Sequence, residues 1–99
     1  GYCRRLSNNA FMLVNGEVAP IIGRVCMDQT VLDVSGIANV ENGMTVTVFG
    51  TDNGRTLFVD DLALKLDTIN YELVCAIGMR VPRVYTKGDE IIRIIDYLD

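Results

Sequence analysis

Asparagine–glycine pairs divide this chain into short β-type runs, and they limit its fold more than any other feature. Asn15-Gly16 separates Phe11-Met12-Leu13-Val14 from Val18-Ala19-Pro20-Ile21-Ile22, and Asn42-Gly43 precedes the alternating run Met44-Thr45-Val46-Thr47-Val48-Phe49. Asn-Gly readily adopts the two successive positive φ angles that reverse a twisted strand in a two-residue loop. The first pair predicts a β-hairpin, and the second predicts a turn into a half-buried strand over residues 44–49. Residues 25–34 read as a further strand, with Thr30, Leu32 and Val34 opposite Val31 and Asp33, ended by Ser35-Gly36. Residues 50–54 read as a loop and residues 55–58 as a short strand.

Helical signals follow. Residues 59–66 carry Asp60 and Asp61 in the first turn and Lys65 in the last, as the helix macrodipole favours. Residues 70–77 place Leu73, Val74, Ala76 and Ile77 ahead of Gly78, a natural stop. Residues 80–85 read as extended, with Pro82 excluding a central ladder position. Residues 90–98 set Ile91, Ile92, Ile94, Ile95 and Leu98 on one helical face, with a strand as the alternative for so β-branched a run. Short strands with turn signals roughly every 8–12 residues predict a mainly β fold. The expectation is one small β-barrel-like domain with short helical insertions over residues 1–99.

Composition narrows the function. Apolar residues make up 49% and charged residues 22% of the 99, the balance of a globular chain with one core. A net charge of −4 argues against nucleic-acid or anionic-membrane partners, so no direct membrane contact is expected. Cys3, Cys26 and Cys75 are odd in number and widely spaced, which fits reduced thiols in the cytoplasm better than a disulfide framework or a zinc site. With no histidine in the chain, Ser-His-Asp and Cys-His catalysis and His-ligated metals are excluded. Lys65 lies on an amphipathic helix and Lys87 in a Thr-Lys-Gly turn, both solvated rather than desolvated as a Schiff-base lysine requires. Self-sufficient catalysis is not expected. A chain opening on Gly1-Tyr2-Cys3-Arg4-Arg5 reads as a piece of a longer protein.

Two segments place polar groups inside apolar-looking runs, where burial costs free energy unless a partner is found. In Gly23-Arg24-Val25-Cys26-Met27-Asp28-Gln29, the end of a strand carries groups able to meet a ligand. The competing reading makes Cys26 and Met27 core, with Arg24 and Asp28 solvated. Tyr71, at the start of a helix, can offer its hydroxyl to an anionic oxygen or lie as an amphipathic ring with a wet tip. Arg80 and Arg83, flanking Pro82, either pair with carboxylates or stay solvated.

These segments, together with Gly1-Tyr2-Cys3-Arg4-Arg5-Leu6-Ser7-Asn8, Thr68-Ile69-Asn70-Tyr71-Glu72 and Arg80-Val81-Pro82-Arg83-Val84-Tyr85, keep a family's order and spacing over about residues 1–85. They resemble the C-terminal domain of bacterial alanine racemases, fold-type III enzymes that use pyridoxal phosphate. The tail, residues 86–99, runs past that motif. The resemblance implies a homodimer in which an N-terminal barrel domain carries the cofactor lysine and this β-rich domain completes the active site of its own and the partner subunit. The implied substrate is a small amino acid. Met27 matches the residue whose backbone N–H meets the substrate carboxylate, with Cys26 and Asp28 shaping that loop. Tyr71 matches the tyrosine that hydrogen-bonds the cofactor phosphate, and Arg4, Arg24 and Ile69 match residues of the substrate access channel.

The cofactor lysine and the catalytic tyrosine of the family have no counterpart here, and Tyr2 is not that tyrosine. The isolated chain is therefore expected to be inactive, with an apolar patch around Met27 and Tyr71. Serine racemases of vancomycin-resistant bacteria share this domain and tend to carry a smaller polar residue where Tyr71 stands, so tyrosine favours alanine modestly. The alternative from another class is a β-barrel interaction module that kept the motifs without the chemistry.

Overall fold

The structure is a computed structural model, and it describes residues 2–96. Strands β1 (Phe11–Val14) and β2 (Glu17–Pro20) form the expected hairpin, with Phe11 opposite Pro20 and Val14 opposite Glu17. Asn15 at φ 54° and Gly16 at φ 74° make the tight turn between them. Strands β3 (Gly50–Asp52) and β4 (Arg55–Leu57) form a second hairpin whose turn, Asn53-Gly54, repeats that backbone with φ 47° and 80°. Residues 50–54 are thus a strand and a two-residue turn rather than a loop. The Asn53-Gly54 turn sets the register, and Thr51 and Thr56 join their hydroxyls across it at 2.8 Å.

The two turns abut. The Gly16 N–H donates to Asp52 Oδ2 at 2.8 Å, and a Cβ on Gly16 would lie 2.6 Å from that of Asn53. Glycine at this position therefore serves both the positive φ and the close approach.

The strands expected at residues 25–34 and 44–49 shrink to single bridges, Ile21 with Leu32 and Leu13 with Thr47. In the first case side chains take the backbone donors a ladder would use. Asn8 Oδ1 accepts from the Gly23 N–H and Ser7 Oγ from the Val25 N–H, each at 2.8 Å. In the second, Thr47 exchanges both bonds with Leu13 at 2.9 Å, and Val48 and Phe49 then pack against the core.

Helix α1 (Val59–Lys65) buries Leu62 and Ala63, and Leu66 follows into the same core. The core cluster joins Leu6, Ala10, Met12, Ile21, Val25, Leu62 and Leu66. Past α1 the chain reverses through Asp67 at φ 54°, with Thr68 N–H on the Ala63 carbonyl at 3.0 Å and Asp67 N–H on that of Leu64 at 3.2 Å. This Schellman-type stop uses aspartate where glycine is usual. It leads directly into helix α2 (Asn70–Cys75), which ends two residues short of the expected Ile77.

Beyond α2, strands β5 (Arg83–Lys87) and β6 (Glu90–Ile95) form a third antiparallel hairpin through Gly88 at φ 61°. The helical reading of residues 90–98 is therefore corrected to the strand alternative over Glu90–Ile95. Stiff β-branched side chains favour extended backbone once a hairpin partner is adjacent. Leu98 of that reading lies outside the described residues. A bulge between Tyr85 and Thr86 shifts the register so that Ile91 joins Val84, Ile92 and Ile94 on one face. All four are more than half exposed. Among the described residues the architecture is mainly β, three two-stranded antiparallel sheets with two short helices. Its radius of gyration, 14.2 Å, exceeds the roughly 13 Å of a compact domain this size.

Candidate functional site

Residues 23–29 form a loop with a buried root and a free tip. Val25 at the root is 1% exposed, and the Cys26 N–H closes the loop on the Gln29 carbonyl at 2.9 Å. Met27 at the tip is 89% exposed, and Cys26 is exposed beside it. The reading that made these two core residues is overturned. Once Gly23 turns the chain at φ 77°, the strand that would have buried them is absent. Among the described residues the Met27 backbone N–H has no hydrogen-bond acceptor, which leaves a free donor at the exposed tip.

Asp28, next in the loop, meets a group from far along the chain. Arg80 Nη2 donates to Asp28 Oδ1 at 2.6 Å across 52 residues of sequence. The Arg80 hydrogen bond, and then its charge, hold the Asp28 carboxyl below its usual pKa, while Asp28 raises that of Arg80. Both side chains stay largely exposed, so solvent screens their attraction. Arg83, by contrast, is only part-exposed. Its guanidinium donates to the carbonyls of Gly78 at 2.6 Å, Val81 at 2.5 Å and Ile77 at 2.9 Å, fastening the turn that carries Arg80. The extended reading of residues 80–85 accordingly holds only from Arg83, because a turn with the Val81 N–H on the Gly78 carbonyl occupies the start.

Tyr71 stands in the first turn of α2, 73% exposed, with Ile69 exposed just before it. Its hydroxyl makes no hydrogen bond among the described residues. Asn70 Nδ2 donates to Asp60 Oδ1 at 2.7 Å and ties the start of α2 to that of α1. Thr68 Oγ1 bonds the Glu72 carboxylate within the same turn. Ile69 and Tyr71 border an open cavity of about 400 Å³ with Asp60, Ala63, Leu64 and Thr68.

Arg4 lies in a single 3-10 turn (Arg4–Leu6) and Arg24 in the Met27 loop, both exposed. Sequence reasoning missed Arg5, whose Nη1 donates to the Leu66 carbonyl at 3.2 Å and joins the chain start to the end of α1. It also missed an apolar cavity of about 290 Å³ lined by Tyr2, Cys3, Leu6, Phe49 and Leu73 among others. There the Tyr2 hydroxyl is buried with no hydrogen-bond partner among the described residues, and burial, then the Cys3 thiol, push its pKa up to about 12. The run of apolar side chains at either end of the core was the one signal for it.

The model of the family "Alanine racemase, C-terminal domain" matches residues 1–85. The chain is 43% identical over 98 residues to alanine racemase 1 of Clostridium acetobutylicum, covering 99% of this chain and 25% of that protein. That alignment runs through the tail beyond residue 85. The fold is similar to alanine racemase of Bacillus anthracis solved with bound L-Ala-P, at TM-score 0.86 and 36% identity, over 96% of this chain and 24% of that one. It is also similar to alanine racemase of Bartonella henselae solved with covalently bound pyridoxal phosphate, at TM-score 0.76 and 26% identity, over 87% and 24%. The chain spans about a quarter of the length of the relatives it matches. With the family's motif running through 85 of its 99 residues, the chain belongs to the alanine racemase C-terminal domain family.

Proposed function

We propose that this chain is one wall of the active site of an alanine racemase that interconverts L- and D-alanine. The observation that carries the reading is the Met27 N–H, unpaired among the described residues at an exposed loop tip, where the resemblance implies a carboxylate-binding donor. A backbone N–H on a loop rooted in the core binds a substrate carboxylate without reorganising. Cys26 and Asp28 shape that loop, and Arg4, Arg24 and Ile69 line the approach to it.

Tyr71 fits pyridoxal phosphate in one specific respect: its hydroxyl is free, exposed and able to donate to a phosphate oxygen. Lys65 and Lys87 are both solvent-exposed, outside the desolvated pocket that a Schiff-base lysine requires. When bound, the cofactor acts as an electron sink for the carbanion left by α-proton removal. The two groups that remove and return that proton belong to an N-terminal barrel domain and to the partner subunit of a homodimer, all in the cytoplasm. This chain's share is to bind the carboxylate, hold the phosphate and narrow the channel. Tyr71 also fills space that a larger substrate would need, which favours alanine over serine.

The test is racemisation by the full-length parent polypeptide supplied with pyridoxal phosphate. D-alanine should form from L-alanine, and the 99-residue chain alone should form none. A full-length protein that binds the cofactor yet leaves L-alanine unchanged would overturn the reading.

A further inference from the structure

The loop that presents Met27 is held firmly at its root and by a single contact at its tip. Val25 is anchored by the core and by Ser7, and Cys26 by Gln29. Beyond Cys26, Met27 makes no hydrogen bond among the described residues, and Asp28 is fixed through its carboxylate on Arg80 alone. Met27 and Asp28 lie between Cys26 and Gln29, so a single backbone hydrogen bond closes the tip that carries them. Arg80 supplies the second attachment.

Arg80 is itself held in place. It sits on the turn after α2, where the Arg83 guanidinium donates to three carbonyls, those of Ile77, Gly78 and Val81. Ile77 lines the apolar cavity with Leu6 and Leu73, which ties this turn to the core. A planar fork engaging three acceptors is a stiff support. A continuous series of bonded groups therefore runs from Tyr71 through α2 and the Arg83-pinned turn to Arg80, Asp28 and Met27.

We propose that Arg80 is a positioning residue: by gripping Asp28 from a turn pinned by Arg83, it fixes the direction of the Met27 N–H toward the substrate carboxylate. The proposal rests on the reading of Met27 as the carboxylate donor. Exposed ion pairs contribute little to global stability. What this one supplies is geometry, and small misplacements of a binding donor are costly to substrate capture.

The experiment compares the full-length parent enzyme with its Arg80→Gln and Asp28→Asn variants and the reversed pair Asp28→Arg with Arg80→Asp. In the single variants KM for L-alanine should rise about tenfold while cofactor absorbance and thermal midpoint stay unchanged. The reversed pair should recover most of the loss. Hydrogen exchange at the Cys26 amide, which needs no activity, should be several-fold faster in Arg80→Gln. An active parent whose KM is unmoved by Arg80→Gln overturns the positioning role, even if exchange accelerates. Unchanged exchange overturns the grip itself. An inactive parent with accelerated exchange keeps the grip and removes instead the function assigned to the loop.

Discussion

The chain before Asp67 and the chain after it are built from similarly apolar sequence, yet they use it in opposite ways. Every buried hydrophobic residue among the described residues lies from Leu6 to Leu66. After Leu66, large apolar side chains such as Tyr71, Val74, Met79, Val81, Val84, Ile91, Ile92 and Ile94 are exposed. The first part builds a core of its own, although Ile22, Met27, Val31, Phe58 and Leu64 stay exposed. The second part, which the Met27 loop meets through Arg80, leaves its apolar side chains outward.

The sharpest way to break that contrast is a matched pair of truncations. Leu13→Ala, at a site with no exposure, should cost about 2–5 kcal/mol of stability. Ile92→Ala, at 62% exposure, should cost under about 1 kcal/mol. Urea unfolding of both variants checks this, and similar losses would mean that the β5–β6 hairpin is as much a part of the core as β1.

A smaller effect is expected at Tyr71. In the full-length enzyme Tyr71→Phe should weaken cofactor retention about tenfold, as loss of one hydrogen bond to a charged phosphate does. Its thermal midpoint without cofactor should be unchanged, because the ring is largely exposed. Dialysis followed by cofactor absorbance measures this, and unaltered retention would remove Tyr71 from the phosphate site.

The smallest effect separates the tyrosines by their surroundings. Tyr2, buried and unpaired, titrates at about 12, whereas its unfolded value is near 10. A group whose pKa is raised on folding contributes stability that is complete below the unfolded value and lost as pH rises through the folded one. Unfolding should therefore become easier between pH 10 and about 12, and Tyr2→Phe should flatten that dependence. Ultraviolet difference absorbance against pH, with denaturant midpoints, measures both.

Much of this division was legible in the sequence. Asn15-Gly16 dictates its hairpin because the pair fits a backbone few others tolerate, and the acids and lysine of residues 59–66 mark α1 through the dipole. The resemblance implies binding roles for Met27 and Tyr71, and both side chains are exposed. What stayed illegible depends on distant partners. Val25 to Val34 looks like a strand until Ser7 claims the Val25 N–H from 18 residues away and Asn8 holds Gly23 just before it. Residues 90–95 fit a helical face until β5 lies beside them. The Asp28–Arg80 contact joins residues 52 apart, a separation at which residue types alone name no partner and solvation is the ordinary expectation.

The central claim is that this chain holds substrate and cofactor while the covalent attachment lies elsewhere in the parent protein. The most direct measurement is reductive trapping of the full-length polypeptide with pyridoxal phosphate, followed by peptide mapping of the labelled lysine. The account predicts a label on a lysine outside these 99 residues and none on the isolated chain. A reduced adduct on Lys65 or Lys87 would contradict it.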